Sequence, residues 1–208
     1  VTGIPQAKTP TRLSSALFLG KATLLQVKRA TQDFSKSIVR HSQSSDESFS
    51  KTLTASVTQL WTDTNVSEEW YQRGKIQNLR QAASRLDLCV IPAEQVFSFW
   101  RQVGRASRRK GYVPGRMLQE GCMIPAIGGG LCQLSNSIYQ VALESGCEIL
   151  ERHPHSRVVP GSATAGGRDA TVAWNYIDLR FRPSTAMQLR VMLTATDLRV
   201  SLHSTSGA

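Results

Sequence analysis

The sequence predicts an α+β fold, with helices leading, one central helix carrying the chemistry, and an antiparallel sheet closing the chain. Three observations predict it. Residues 10–40 and 75–87 place apolar side chains at helical spacing. A triple glycine, Gly128-Gly129-Gly130, runs into another helical pattern through Leu131, Leu134, Ile138, Val141 and Ala142, with Gly146 as its C-terminal stop. Beyond Cys147 the period changes to two: Leu189, Val191 and Leu193, then Leu198, Val200 and Leu202, alternate with polar groups or Met192. Helices followed by a run of strands argue for segregated layers rather than βαβ units.

The elements follow in order. Leu13, Leu17, Leu24, Val27, Phe34 and Ile38 form a stripe with basic residues between them. Its moderate apolarity favours a helix docked on the main domain; the alternative is peripheral membrane contact through residues 10–40. Residues 42–56 are rich in Ser and Thr and read as a linker. The expected division is a basic helical segment plus linker over 1–56 and an α+β domain over 57–208. Ile76, Leu79, Ala83 and Leu86 share one face of the next helix. A strand over 88–92 ends at Pro92, and 96–100 reads as a second. Residues 101–116 contain Gly104, Gly111, Pro114 and Gly115 and predict loops. Strands are expected over 148–152, 169–174, 177–181, 188–194 and 198–203, with a Pro/Gly/Ser-rich loop over 153–168.

Among the 208 residues the net charge is +10, and residues 1–41 hold +6 of it through seven Lys/Arg against one Asp. A second basic run contains Arg101, Arg105, Arg108, Arg109, Lys110 and Arg116. Such surfaces attract anions, and Arg101, Arg105 and Arg116 are candidates to hold an acidic small-molecule or peptide substrate. No aromatic–basic interleaving or known motif points to nucleic acid, and none is expected as a partner. No window approaches the ~20 apolar residues of a membrane span. The cluster Ala16-Leu17-Phe18-Leu19 is too short for a signal peptide. A cytoplasmic or cell-envelope-associated protein is expected.

Of the four cysteines, Cys89, Cys122, Cys132 and Cys147, none has zinc-type spacing. Cys89 and Cys147 sit in apolar stretches and read as buried. Cys132 falls in the first turn of a helix, where free N–H groups and partial positive charge favour a thiolate. A nucleophilic cysteine needs a base, and the base needs an orienting group. Downstream lie His153-Pro154-His155-Ser156 after a strand and Gly167-Arg168-Asp169 before another. The order Cys on a helix start, then His, then Asp on sheet elements matches papain-like, transglutaminase-like and NlpC-type enzymes by analogy. Cys132, His155 and Asp169 are therefore the candidate nucleophile, base and orienter, with His153 the alternative base. Gly128, Gly129, Gly130, Gln133, Ser135, Asn136, Ser156 and Arg168 are candidates for binding substrate or an oxyanion. Cys132, His153, His155 and Asp169 are all zinc-ligand types, but their spacing is wrong and a metal would quench the thiolate, so neither metal nor cofactor is expected.

The motifs resemble the VanW family. The resemblance rests on Lys75-Ile-Gln-Asn-Leu79 with Ala82-Ala83, Phe97-Ser-Phe-Trp100, Gly111-Tyr112, Gly121, Gly128 through Asn136, Glu151 through Ser156, Gly167 through Ala170, and Asp178-Leu-Arg180. It covers roughly residues 70–183. Pro92-Ala93-Glu94 departs from the family's usual Pro-Gly-Glu, at a turn. The resemblance implies a bacterial cell-envelope and vancomycin-resistance context. Joined to the cysteine chemistry, it leads to the expectation of a hydrolase or an acyl or peptidyl transferase acting on an amide or ester of an anionic substrate. The alternative is a non-catalytic module binding a peptidoglycan fragment or another anionic envelope ligand.

Overall fold

The structure is a computed structural model, and it describes residues 12–62, 68–119, 122–155 and 169–205. The fold is α+β. Helix α1 (Arg12–Ser35) is followed by β1 (Lys51–Gln59), α2 (Glu69–Leu86), β2 (Cys89–Ile91), β3 (Phe97–Ser98), the short α3 (Phe99–Val103), β4 (Pro114–Gln119) and β5 (Cys122–Ile127). Then come α4 (Leu131–Glu144), β6 (Glu148–Glu151), β7 (Arg180–Arg182), β8 (Met187–Leu193) and β9 (Asp197–Ser204).

Four strands form an antiparallel sheet in the order β1-β9-β8-β2. Leu189 and Val191 of β8 and Leu198, Val200 and Leu202 of β9 point into the core, as their alternation requires. Helix α2 packs on β8, α4 packs on β1 and β9, and the two helices touch, so both cover one face. Leu79 and Leu86 of α2 and Leu134 and Ile138 of α4 are buried there. A second sheet, β3-β7-β6, is pinned by Phe97 stacked on Phe181 at 4.7 Å. Helix α4 ends in a Schellman motif: Gly146 (φ 74°) donates to Leu143 O, and Cys147 N–H to Ala142 O.

Several local expectations are corrected. Residues 42–56 are not a free linker. Residues 51–59 form β1, in register with β9 from Lys51↔Ser204 to Gln59↔Asp197. Leu53, Ala55 and Val57 with interleaved threonines suit an edge strand, and the Ser/Thr content hid it. The expected strand 96–100 stops at Ser98, whose Oγ accepts from Arg101 N–H at 3.1 Å and caps α3. Residues 169–181 give only an Ala173–Ile177 bridge and β7. The loop-rich 101–116 runs into an unforeseen hairpin, β4–β5. Pro114 and Pro125 obscured it, yet a two-stranded hairpin has open edges that tolerate proline.

Helix α1 does dock on the domain, but by its polar face. Arg29 makes two bonds to Glu151 (2.7 and 2.6 Å), Asp33 meets Arg180 at 2.7 Å, and Gln26 Nε2 donates to Trp174 O at 2.7 Å. Arg180 also binds Asp178 at 2.8 Å, so two buried carboxylates flank it. Burying a charge is tolerable only where opposite charges pair it, as here.

The hairpin reaches the helices through glycines. Gly115 and Gly129 face each other so closely that an added Cβ on Gly129 would overlap the Gly115 carbonyl group. Gly129→Ala is expected to destabilise the protein by about 2–4 kcal/mol, because the obstacle is backbone. Gly20→Ala, on an exposed face of α1 with nothing near its Cβ, should instead gain about 0.5–1 kcal/mol. Urea midpoints at constant slope measure both.

Candidate active site

The triple glycine sets the start of α4. Gly128 (φ 79°) and Gly130 (φ 96°) lie in the left-handed region that disfavours side chains. Gly130 is the N-cap residue and provides no side-chain cap. Helix geometry leaves the N–H groups of Leu131 and Cys132 without intrahelical partners, so Cys132 stands in the positive end of the dipole. Its sulfur is partly buried, 3.5 Å from Thr171 Oγ1 and 4.0 Å from the Val172 carbonyl.

The Cys132 and His155 side chains interact, each favouring the charged form of the other. The His155 Nδ1 lies 2.6 Å from Asp169 Oδ2, and its backbone N–H donates to the same oxygen at 2.7 Å. Arg152 holds Asp169 from the other side: Nε donates to its carbonyl at 2.7 Å, and an Nη atom to Oδ1 at 3.2 Å. The Arg152 guanidinium also lies over the Tyr139 ring, 5.4 Å from its centre. The result is a thiol–imidazole–carboxylate chain in which the carboxylate reaches the sulfur only through the ring.

The electrostatics follow from these contacts. Burial works to raise the Cys132 thiol. The interaction with His155, the backbone at Val172, the Thr171 hydroxyl and the imidazolium charge outweigh it, and its pKa falls below the ordinary value. His155 moves from 6.5 to about 9, chiefly through Cys132, against burial, with Asp169 adding bond and charge. Burial also opposes ionisation of Asp169, but His155 and Arg152 hold its carboxyl below the usual range. Burial pushes the other two described thiols up, Cys89 to about 12 and Cys147 to about 11. Of the three, only Cys132 has its thiol shifted toward the thiolate.

The other expected site residues divide. His153 is exposed and turned to Glu151 at 3.3 Å, so His155 is the histidine at the sulfur. Gln133 is not placed as an oxyanion donor: its Nε2 is spent on Thr58 Oγ1 (3.0 Å) and Gln59 O (2.8 Å), tying α4 to β1. Ser135 Oγ donates to Ala170 O at 2.5 Å, and Asn136 Oδ1 accepts from Ala170 N–H at 2.7 Å. Those two grip the residue between Asp169 and Thr171. Gly129 is buried against Gly115, so the glycines serve turn and packing rather than an open approach. Arg116 pairs with Glu68 and lies over Tyr71 at 5.5 Å. Arg101 and Arg105 are exposed and make no ion pair among the described residues. Ser156 and Arg168 lie outside the described residues.

Three contributors had not been singled out. Arg152 and Asn78 sit inside motifs already noted. Asn78 bonds Val113 N–H (2.9 Å), Val113 O (3.0 Å) and Gly129 O (2.9 Å), fixing the approach to α4. Thr171 carried no signal except its place after Asp169.

The model of the family described as VanW like protein matches residues 74–203. The chain belongs to the VanW family. That match spans α2 to β9 and includes Cys132, His155 and Asp169. The vancomycin B-type resistance protein VanW of Enterococcus faecalis is 34% identical over 135 residues, covering 62% of this chain and 48% of that protein. The uncharacterized protein YoaR of Bacillus subtilis is 34% identical over 110 residues, covering 53% of this chain and 36% of that one. The chain thus spans half or less of the length of these relatives. No solved structure matches it.

In this VanW-family site the charge on His155 adds stability that is full below pH 6.5 and is lost as pH rises through about 9. Asp169→Asn removes the carboxylate charge, so the His155 pKa should fall by about one unit. A proton NMR titration of the imidazole checks this; an unchanged midpoint counts against the Asp169 contact.

Proposed function

We propose that this VanW-family protein is a cysteine-dependent hydrolase or acyl transferase. The observation that carries the reading is the continuous Cys132–His155–Asp169 chain at an uncapped helix start. In the proposed reaction the Cys132 thiolate attacks an amide or ester carbonyl. The imidazolium of His155 protonates the leaving group, giving a thioester. Neutral His155 then takes a proton from water or an amine, whose attack frees the thiol. The N–H groups of Leu131 and Cys132 are the donors for the oxyanion, since the Gln133 amide is committed to β1. Asp169 fixes the ring and supports its charge. The Enterococcus relative is named for vancomycin resistance, which favours an amide or ester of the cell envelope as substrate.

Iodoacetamide at about pH 6.5 should label Cys132 well ahead of Cys89 and Cys147. In His155→Ala the rate should fall about tenfold per pH unit below the thiol pKa. With cell-wall peptides, mass spectrometry should find a hydroxylamine-labile acyl adduct on Cys132, absent from Cys132→Ser. Equal labelling of the cysteines would rule out an activated thiol. Unimpaired peptide binding by Cys132→Ser, with no adduct or turnover in the unsubstituted protein, would leave a binding module instead.

A further inference from the structure

Helix α1 is mounted with its apolar face outward. Ala22, Gln26, Arg29 and Asp33 lie on one side, and Gln26, Arg29 and Asp33 bind the domain through Trp174, Glu151 and Arg180. Leu24, Val27 and Phe34 share the nearly opposite side and are 70%, 58% and 90% exposed. Isolated exposed apolar residues are common, but three in helical register on one face, with Phe34 almost bare, form a stripe. The ion pairs make the orientation definite, since turning the stripe inward would break the Arg29–Glu151 and Asp33–Arg180 contacts.

The charges around the stripe choose its occupant. Lys21 and Lys28 border it, and Lys36 and Arg40 follow its C-terminal end, all exposed. The helix's acid, Asp33, faces inward on Arg180. Glu151 is engaged by Arg29 on the docked side, and Glu94, across the small hollow lined by residues 36–39 and 94–96, is approached by Arg182 at 3.8 Å. A second copy packed on the stripe would oppose Lys21 and Lys28 to their equivalents, a repulsive arrangement. An anionic surface meets both the apolar residues and the cations. No helix among the described residues is long and apolar enough to cross a membrane, so contact would be parallel to the surface.

We propose that the outward face of α1 binds an anionic lipid surface, with Leu24, Val27 and Phe34 at the acyl boundary and Lys21 and Lys28 at the headgroups. Flotation of the full chain with vesicles tests it. The protein should float with vesicles holding about one-third phosphatidylglycerol but not with phosphatidylcholine alone. Leu24→Ser, Val27→Ser and Phe34→Ser combined should abolish flotation. Lys21→Gln with Lys28→Gln should weaken it about thirtyfold. Circular dichroism checks that both variants remain folded, since all five positions are exposed. No flotation at low salt, or flotation unaffected by the serines, overturns the proposal. A dimer in solution that the serines dissociate would overturn it in favour of a second copy.

Discussion

The close approach of Gly115 and Gly129 is the constraint on which the candidate site depends. It lets the β4–β5 hairpin lie against the start of α4 with no side chain between the two backbones. Asn78 secures the junction from α2, taking up the Val113 N–H and both the Val113 and Gly129 carbonyls. A buried polar side chain with its bonds satisfied is worth keeping, since removing it strands several partners at once. The helix start that results is fixed in space. Its first two turns then distribute ties in two directions, Gln133 to β1, and Ser135 and Asn136 to Ala170. Cys132 is the member of that stretch left facing an imidazole.

A half-buried thiolate is costly, and here the cost is met by donors and charge rather than by exposure. The helix dipole, the His155 ring and the hydroxyl of Thr171 all act on the sulfur. The imidazolium in turn needs Asp169, and Asp169 needs Arg152 and the His155 backbone. Asp169 Oδ2 accepts from both the ring and the main chain of His155, so one oxygen sets both the ring's rotation and its position along the chain. Cys89 and Cys147 lack all of this and behave as apolar fillers, with their thiols pushed up by burial.

Much of this was legible in the residues themselves. The helical stripes of α2 and α4 and the two-residue period of β8 and β9 are strong patterns, because each buries one face against a continuous core. The meeting of Cys132 with His155 and Asp169 could be anticipated from element order, since helix start, loop and strand head are where reactive groups can converge. What failed were signals carried by composition. Serines and threonines suggested a linker where they form the edge strand β1, and prolines hid the β4–β5 hairpin. Gln133, beside a cysteine, suggested an oxyanion donor, whereas its partner lies 74 residues away on β1. The stripe on α1 was visible, but the side that docks was decided by Glu151 and Arg180, far along the chain. Long-range polar pairing leaves no periodic trace.

The tie from Gln133 to β1 has a bearing on how the protein reaches its native state. β1 is held in the sheet by β9, a pairing that joins Lys51 to Ser204. Contacts of such separation form late, after the loop entropy between them has been overcome. Until then the first turn of α4 lacks one of its anchors, and Cys132 is an ordinary thiol on an unfinished helix. Its reactivity is therefore a property of the completed fold. In a chain still being synthesised or refolding, Cys132 is not set apart from the other cysteines, because the contacts that single it out do not yet exist.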